Sequence, residues 1–223
     1  MTDMQKECTF EKTITKTVKD GYLLYLPHDY DKDTDKRWPL VMFLHGMGER
    51  GNELNKVKLL GPPRFVADGR EFPFILISPQ CPDDSFWNDE TDMLGAMLDE
   101  VEAKYRVDKN QILLTGLSMG GYGTWAFAAK QPNRFAAIAP ICGGGNVKDA
   151  PIIKDIPMWV FHGDQDDVVK LEKSQEMVDA VRAAGGNPKF TVYQGVGHNS
   201  WDNAYADGEF WKWFLEQRRK QQN

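Results

Sequence analysis

The chain has 223 residues and a formal net charge of −6 at pH 7, with 41% hydrophobic and 27% charged residues. This length suits one sizeable α/β domain and is short for two, so residues 1–223 are predicted to form a single domain. The acidic balance argues against nucleic acid as a partner, because duplex-binding proteins carry a basic face. The sequence has no run of about 20 apolar residues, so a membrane partner or span is not expected.

The N-terminal segment and the cysteines bear on location and on cofactor chemistry. The first twenty residues are charged and lack the apolar core of a signal peptide, which favours a cytoplasmic location unless a secretory leader has been removed. The three cysteines, Cys8, Cys81 and Cys142, are odd in number and show no C-x-x-C spacing. They argue against a disulfide framework or a thiolate zinc site as the organising principle. The sequence as a whole predicts no metal and no cofactor.

Strand-like and helix-like segments alternate along the chain. Two β-rich segments, 10–18 and 22–26, are separated by Asp20-Gly21, a turn sequence typical of a hairpin. Further apolar runs predict buried strands over 40–44, 74–77, 112–115, 136–139, 158–161 and 190–193. Helical patterns cover 93–101, 122–130, 171–184 and 204–219. The predicted fold class is therefore α/β, with a mainly parallel eight-stranded sheet and helices on both faces.

A glycine-rich turn follows the fifth predicted strand and reads Gly116-Leu117-Ser118-Met119-Gly120. The pattern G-x-S-x-G between a strand and a helix is that of a nucleophile elbow, whose tight turn exposes the serine hydroxyl above the sheet. Glycines on both sides remove side chains that would collide with the strand and the helix. Ser118 is therefore the candidate nucleophile, the alternative being a glycine-rich turn with an incidental serine.

The histidine that serves as base must follow the serine in this type of fold. His28 precedes Ser118, whereas His45 and His162 each close a buried strand, where a hydrogen bond to a loop is a more common role than proton transfer. His198 lies in a glycine-containing loop beyond the last predicted strand. That position is where a general base is expected, so His198 is the candidate.

The acidic partner is expected after the seventh predicted strand, where Asp164, Asp166 and Asp167 compete. Its role would be to accept a hydrogen bond from the imidazole Nδ1–H and to stabilise the imidazolium. Spacing alone does not choose among the three. Asp164 and Asp167 also suit another role, that of capping the following helix or binding loop amides.

An oxyanion hole requires two backbone N–H groups. One is expected from the residue after the nucleophile, Met119. The other is expected from the loop after the third predicted strand, which runs from His45 to Gly51, and Met47 is the candidate there. The alternative for this loop is an ordinary glycine-rich turn.

Taken in register, these motifs resemble those of α/β-hydrolases. The chain resembles the small serine carboxylesterases grouped with the phospholipase/carboxylesterase and dienelactone hydrolase-like families, whose relatives include predicted peptidases and feruloyl or acetyl esterases. The motifs that carry it are Leu44–Gly51, Gly116–Gly121, His162–Val169 and Gly197-His198. In that family the acid is the aspartate of H-G-x-x-D, which matches Asp166. The resemblance implies Ser118, His198 and Asp166 as catalytic residues, with the Met47 and Met119 amides as the oxyanion hole.

The sequence departs from two members of that group. Dienelactone hydrolase itself uses a cysteine nucleophile where this chain has Ser118, which argues against that substrate. Acyl-protein thioesterases usually carry proline after the acid, where this chain has Asp167, and they lack the Glu49-Arg50 continuation. The predicted function is hydrolysis of short-chain or small carboxylic esters through an acyl-enzyme. The alternatives are a carbohydrate esterase for acetyl or feruloyl groups and, less favoured, a peptidase, a thioesterase or a non-catalytic binding module.

The predicted site lacks a lid. Only residues 142–156 separate the sixth strand from the seventh, which leaves room for a loop or one short helix and not for a cap domain. An open, shallow site suits small or polysaccharide-linked esters better than long-chain lipids. Trp87, with its neighbour Phe86, and Trp201 are predicted to line the site, although aromatic residues pack cores more often than they bind ligands. The sequence predicts no particular oligomeric state.

Overall fold

The computed structural model describes residues 9, 11, 12 and 17–219. The strands are β1 (Tyr22–Tyr25), β2 (Trp38–Leu44), β3 (Ile75–Pro79), β4 (Val107–Leu117), β5 (Ala137–Ile141), β6 (Trp159–Gly163) and β7 (Lys189–Tyr193). The helices are α1 (Gly61–Ala67), α2 (Thr91–Lys104), α3 (Met119–Lys130), α4 (Ala150–Ile153), α5 (Glu172–Ala183), α6 (Ser200–Ala206) and α7 (Gly208–Glu216).

The seven strands form one mixed sheet in the order β1-β3-β2-β4-β5-β6-β7. β1 is antiparallel to β3, and the remaining neighbours are parallel. Successive residues of β2 alternate between the two faces, with Met42 packing on the α2–α3–α5 side and Phe43 on the α6–α7 side. Because both faces are covered, the central strands read as continuous apolar runs. The predicted α/β class with a mainly parallel sheet is confirmed.

The N-terminal hairpin is only partly within the described residues. β1 forms as predicted but pairs with β3, with Tyr22 opposite Pro79 and Tyr25 opposite Leu76. Residues 17–21 hold no strand, and most of segment 10–18 lies outside the described residues. The eighth strand therefore remains a prediction.

The prediction of a single helix over 204–219 is wrong. Two helices, α6 and α7, meet at Asp207, whose backbone is extended with φ −73° and ψ 116°. The Asp207 Oδ1 accepts a hydrogen bond from the Glu209 amide at 2.8 Å and so caps α7. An aspartate followed by Gly208 starts a new helix here, and the periodic apolar pattern does not reveal that break.

The segment between β5 and β6 is short, as predicted. It holds a 3-10 turn (Val147–Asp149) and the four-residue helix α4, and no cap domain is evident in the described part of the chain. Within that same part, none of the helices combines the length and the apolar character needed to cross a bilayer.

Candidate active site

The sheet brings three distant parts of the chain to one edge. Ser118 directly follows β4, Asp166 lies in the turn after β6, and His198 lies in the loop after β7. Because these strands are parallel, their carboxyl ends lie at the same edge of the sheet, where ligand sites of open α/β folds form. The three side chains that the sequence singles out are therefore neighbours in space.

Ser118 lies at a strained turn between β4 and α3. Its backbone has φ 53° and ψ −117°, in a region that residues with a side chain rarely adopt. A Cβ on Gly120 would collide with the Leu44 carbonyl oxygen, and one on Gly116 with the Gly120 carbonyl. The Ser118 amide donates to the Ile141 carbonyl at 3.0 Å. These close backbone approaches explain why glycine stands on both sides of the serine.

A hydrogen-bonded chain links the three side chains. His198 Nε2 lies 2.9 Å from Ser118 Oγ, and His198 Nδ1 lies 2.7 Å from Asp166 Oδ2. The Asp166 side chain is fully buried, and its Oδ1 accepts from the amides of Val168 and Val169 at 2.9 and 2.8 Å. Both carboxylate oxygens are therefore held, one by the turn and the other by the imidazole.

The other two aspartates of this turn have different surroundings. Asp164 Oδ1 accepts from the Gly195 amide at 2.7 Å, the loop-binding role predicted for it. Asp167 is exposed to solvent. Asp166 is thus the aspartate of the three whose carboxylate contacts His198.

Met47 lies in the loop that passes Ser118, and Met119 follows Ser118 directly along the chain. Met47 begins a 3-10 turn (Met47–Glu49) and Met119 begins α3, so neither N–H has an acceptor within its own helix. A Cβ on Gly46 would lie 3.8 Å from Ser118 Cβ, which shows how closely the loop passes the serine. Both residues line the same cleft as Ser118 and His198. Two free donors at helix starts suit a developing negative charge.

The cleft above these residues has a volume of about 740 Å³. Its apolar lining residues are Met47, Leu60, Phe86, Leu117, Met119, Val168, Val169 and Trp201. Glu49 and Asp89 contribute carboxylates, and the described lining residues include no lysine or arginine. The cleft therefore suits an uncharged, partly apolar ligand better than an anion.

Of the two tryptophans predicted to contact substrate, one lines the cleft. Trp201 lies over His198, with the two rings 5.2 Å apart and nearly perpendicular. The prediction for Trp87 is wrong, because its ring is fully buried and its Nε1–H donates to the His45 carbonyl at 2.9 Å. Its neighbour Phe86 is 45% exposed and lines the cleft. Adjacent aromatics project in different directions, and sequence alone does not tell which one faces the ligand.

Sequence reasoning missed several lining residues, among them Leu60, Tyr122 and Val168. Tyr122 lies one helical turn after Ser118, and its amide donates to the Ser118 carbonyl at 3.1 Å. Burial raises the pKa of its phenol, which therefore stays protonated. The four-residue spacing from the candidate nucleophile was the available signal for Tyr122, since residues four apart share a helix face.

Glu49 and Arg50 do not pair with each other. Arg50 donates to the Met47 carbonyl at 3.3 Å and to the Ser85 carbonyl at 3.1 Å, and its guanidinium lies 5.0 Å from the Phe86 ring centre. It thereby joins two walls of the cleft. Glu49 is buried, and this burial raises the pKa of its carboxyl.

His45 has the structural role expected of a histidine at a strand end. Its ring is fully buried, its Nε2 accepts from the Cys81 amide at 3.0 Å, and its Nδ1 lies 2.6 Å from the Gly46 carbonyl. Since the Cys81 N–H requires an acceptor, the proton resides on Nδ1. Burial lowers the pKa of His45 from 6.5 to about 4, so the ring is neutral at pH 7.

Because His45 is buried in its neutral form, the protein is expected to lose stability in mild acid. The unfolded chain binds a proton at His45 below pH 6.5 and the folded chain does so only near pH 4, so stability falls as the pH drops between these values. From pH 7 to pH 5 the contribution to the free energy of unfolding is about 2 kcal/mol. Urea unfolding at both pH values measures it. His45→Gln should lose less stability than the wild type over that interval, and an equal loss in both proteins would contradict the assignment.

One group of described side chains has metal-ligand geometry. Ligand atoms of Cys142, Asp166 and His198 all lie within 4.8 Å of one another. Burial raises the pKa of the Cys142 thiol to about 12, whereas a metal binds the thiolate. Asp166 and His198 already bind each other. These properties fit a hydrogen-bonded cluster better than a metal centre.

The chain is similar in sequence to a known protein family and to several esterases. A sequence profile of the dienelactone hydrolase family matches residues 6–212. A probable feruloyl esterase C of Aspergillus terreus is 25% identical over 186 residues, which are 77% of this chain and 66% of that protein. A bifunctional acetylxylan esterase/xylanase of Neocallimastix patriciarum is 28% identical over 141 residues, which are 60% of this chain and 20% of that protein.

Solved structures show the same fold. The crystal structure of a thermostable esterase is 36% identical, with a TM-score of 0.76 over 89% of this chain and 59% of that one. A feruloyl esterase module from Clostridium thermocellum is 17% identical, with a TM-score of 0.70 over 92% of this chain and 86% of that one. They confirm the predicted α/β-hydrolase fold. The profile match extends over nearly the whole sequence, and the chain belongs to the dienelactone hydrolase family of the α/β-hydrolase superfamily.

Proposed function

We propose that this chain is a serine carboxylesterase that acts on short-chain or small carboxylic esters. The observation that carries the proposal is the hydrogen-bonded chain from Ser118 Oγ through His198 to Asp166 at the floor of an accessible cleft. A serine beside an imidazole whose other nitrogen is bound to a carboxylate is the arrangement that activates a hydroxyl nucleophile.

The proposed mechanism has two acyl-transfer steps. Ser118 Oγ attacks the ester carbonyl while His198 Nε2 takes its proton, and the oxyanion binds to the Met47 and Met119 amides. His198 then gives the proton to the leaving alcohol, which departs and leaves an acyl-serine. Water, deprotonated by His198, hydrolyses that acyl-enzyme. No step requires a metal or an organic cofactor.

The cleft supports an uncharged substrate of modest size. Its lining combines apolar side chains with two carboxylates and, among the described residues, no basic group. For an anionic substrate such as a carboxylated lactone, the described lining residues offer no basic side chain. This agrees with the presence of Ser118 where dienelactone hydrolase has a cysteine nucleophile. The short β5–β6 segment supports a site without a cap domain.

A carbohydrate esterase for acetyl or feruloyl groups is the second candidate. Two relatives carry feruloyl esterase and acetylxylan esterase names. The partly exposed side chains of Met47, Phe86 and Val168 form an apolar rim on which a phenolic acyl group can lie. The chain spans two thirds or less of the length of those relatives, so a polysaccharide-linked substrate is part of this proposal.

Covalent labelling provides the first test of the proposal. A fluorophosphonate probe should modify the wild-type protein at Ser118, and peptide mass spectrometry should locate the adduct there. Ser118→Ala should not be labelled. Adduct formation at another residue, or equal labelling of the variant, would refute Ser118 as the nucleophile.

A substrate panel distinguishes the two candidates. The panel comprises p-nitrophenyl esters from acetate to dodecanoate, methyl ferulate and acetylated xylan. A carboxylesterase should prefer the short p-nitrophenyl esters, with kcat/KM falling as the acyl chain grows. Higher kcat/KM on methyl ferulate or release of acetate from xylan would favour the carbohydrate esterase. Hydrolysis of none of them would favour a binding module.

A further inference from the structure

A second imidazole, that of His162, contacts the Asp166 carboxylate. His162 is the fourth residue of β6, is fully buried, and has its Nε2 3.2 Å from Asp166 Oδ2. The same oxygen accepts from His198 Nδ1 at 2.7 Å. Asp166 Oδ2 therefore contacts two imidazole rings.

The hydrogen bonds of His162 define its tautomer. Its Nε2 lies 2.8 Å from the Val169 carbonyl, which can only accept, so Nε2 carries a proton. Burial lowers the pKa of His162, which leaves the ring neutral and its Nδ1 an acceptor. Ser174, a fully buried residue of α5, has its Oγ 2.7 Å from that Nδ1 and 3.0 Å from the Gly143 carbonyl. The one proton of the Ser174 hydroxyl can go to the Gly143 carbonyl or to the unprotonated Nδ1, so Ser174 holds the ring in place while the Val169 carbonyl decides that Nε2 carries the proton.

We propose that His162, oriented by Ser174, is a positioning residue for Asp166, an inference that rests on the proposed ester hydrolysis. Its Nε2–H binds the Val169 carbonyl, and the Val169 amide in turn holds Asp166 Oδ1 at 2.8 Å. The imidazole therefore anchors the turn that orients the carboxylate. The electropositive N–H edge also lies beside Oδ2 and stabilises part of its negative charge.

This arrangement has a consequence for proton transfer. The N–H of His162 neutralises part of the negative charge on Asp166 Oδ2. That oxygen therefore stabilises the His198 imidazolium less than a carboxylate without this neighbour would. Removing that edge should favour protonated His198, which does not accept the proton of Ser118. The activity should then require a higher pH.

The other titratable groups that face this cluster are Cys142 at the end of β5, Tyr122 on α3 and Lys173 on α5. Burial raises the pKa of the Cys142 thiol to about 12 and raises that of the Tyr122 phenol, so both stay neutral between about pH 5 and 9. Lys173 is exposed on the neighbouring turn of α5. A change in the acid limb of the activity profile therefore reports on Asp166 and the two imidazoles.

The pH profile of kcat/KM on p-nitrophenyl acetate tests the proposal. His162→Leu should lower kcat by about 10- to 100-fold, as loss of an orienting partner does elsewhere, with KM nearly unchanged. Its acid-side midpoint should move up by about half a pH unit or more. His162→Gln retains an N–H donor near the position of Nε2 and should recover part of both losses. Ser174→Ala should move the midpoint in the same direction by less, and it carries the test if His162→Leu does not fold.

Ser78→Ala is the matched control, since Ser78 is a fully buried serine on β3 whose hydroxyl has no partner among the described residues. It should leave the profile unchanged. An unmoved midpoint in the His162 and Ser174 variants, whatever their activity, would overturn the proposal and assign His162 a purely structural role. Such a result alongside an inactive Ser118→Ala would leave the proposed function intact, whereas an active Ser118→Ala would refute the function itself.

Nitrogen NMR gives a readout independent of activity. In the wild-type protein near pH 7, the ¹⁵N shifts of His162 should show a protonated Nε2 and an unprotonated Nδ1. The opposite tautomer would overturn the proposal, because an unprotonated Nε2 would repel Asp166 Oδ2.

Discussion

Replacing Ser118 by alanine is expected to lower kcat for p-nitrophenyl acetate by about 10⁴- to 10⁶-fold, as loss of the nucleophile does in serine hydrolases. The physical reason is that Ser118 Oγ is the atom 2.9 Å from His198 Nε2, so without it no acyl-enzyme forms. The residual rate would come from the cleft and from the Met47 and Met119 amides, which remain in place. Stopped-flow or long-time-course hydrolysis assays at saturating substrate measure the loss.

The fold should survive this change because alanine differs from serine by one oxygen. The backbone at position 118 has φ 53°, a strain that alanine and serine share, so the melting temperature should change little. Ser78→Ala, the same substitution at a buried serine of β3, serves as the control and should keep full activity. Ser118→Ala within tenfold of the wild-type kcat would refute the proposed mechanism.

The sheet was accessible to prediction because burial on both faces leaves a simple signal. The runs 40–44 and 112–115 are apolar throughout, and β2 and β4 contain them and pair in parallel with Leu40 opposite Ile112. The position of Ser118 followed from steric rules of the same kind, since only glycines fit beside the turn. Predictions succeeded where one local constraint decides the outcome.

Predictions failed or stayed open where tertiary packing decides. Trp87 and Phe86 are adjacent and chemically alike, and only the fold determines that Trp87 packs against His45 while Phe86 faces the cleft. Spacing did not separate the three aspartates after β6 for the same reason, because the direction of each carboxylate depends on the turn that follows. The relation of Asp166 to His162 also depends on the fold, since Asp166 lies three residues beyond the end of β6 at Gly163 and the chain can turn there in several directions.

The Asp166→Asn variant should lower kcat by about 10⁴-fold, the size of effect seen when the carboxylate of such a triad is made an amide. Asp166 Oδ1 accepts from the amides of Val168 and Val169, so the oxygen of the asparagine side chain must occupy that place and its NH₂ must face His198. An NH₂ there requires Nδ1 as acceptor and leaves the proton on Nε2, which then does not accept the proton of Ser118.

The exposed neighbour provides a matched control for that charge change. Asp167→Asn removes one negative charge from the same turn without touching His198, and its kcat should stay within about twofold of the wild type, as expected for a screened surface charge. Rates of fluorophosphonate labelling should fall in the same order as kcat, because both reactions need the serine activated by His198. A larger loss of kcat in Asp167→Asn than in Asp166→Asn would show that Asp166 is not the acid. Wild-type kcat in both variants would mean that the His198 imidazole works without a carboxylate.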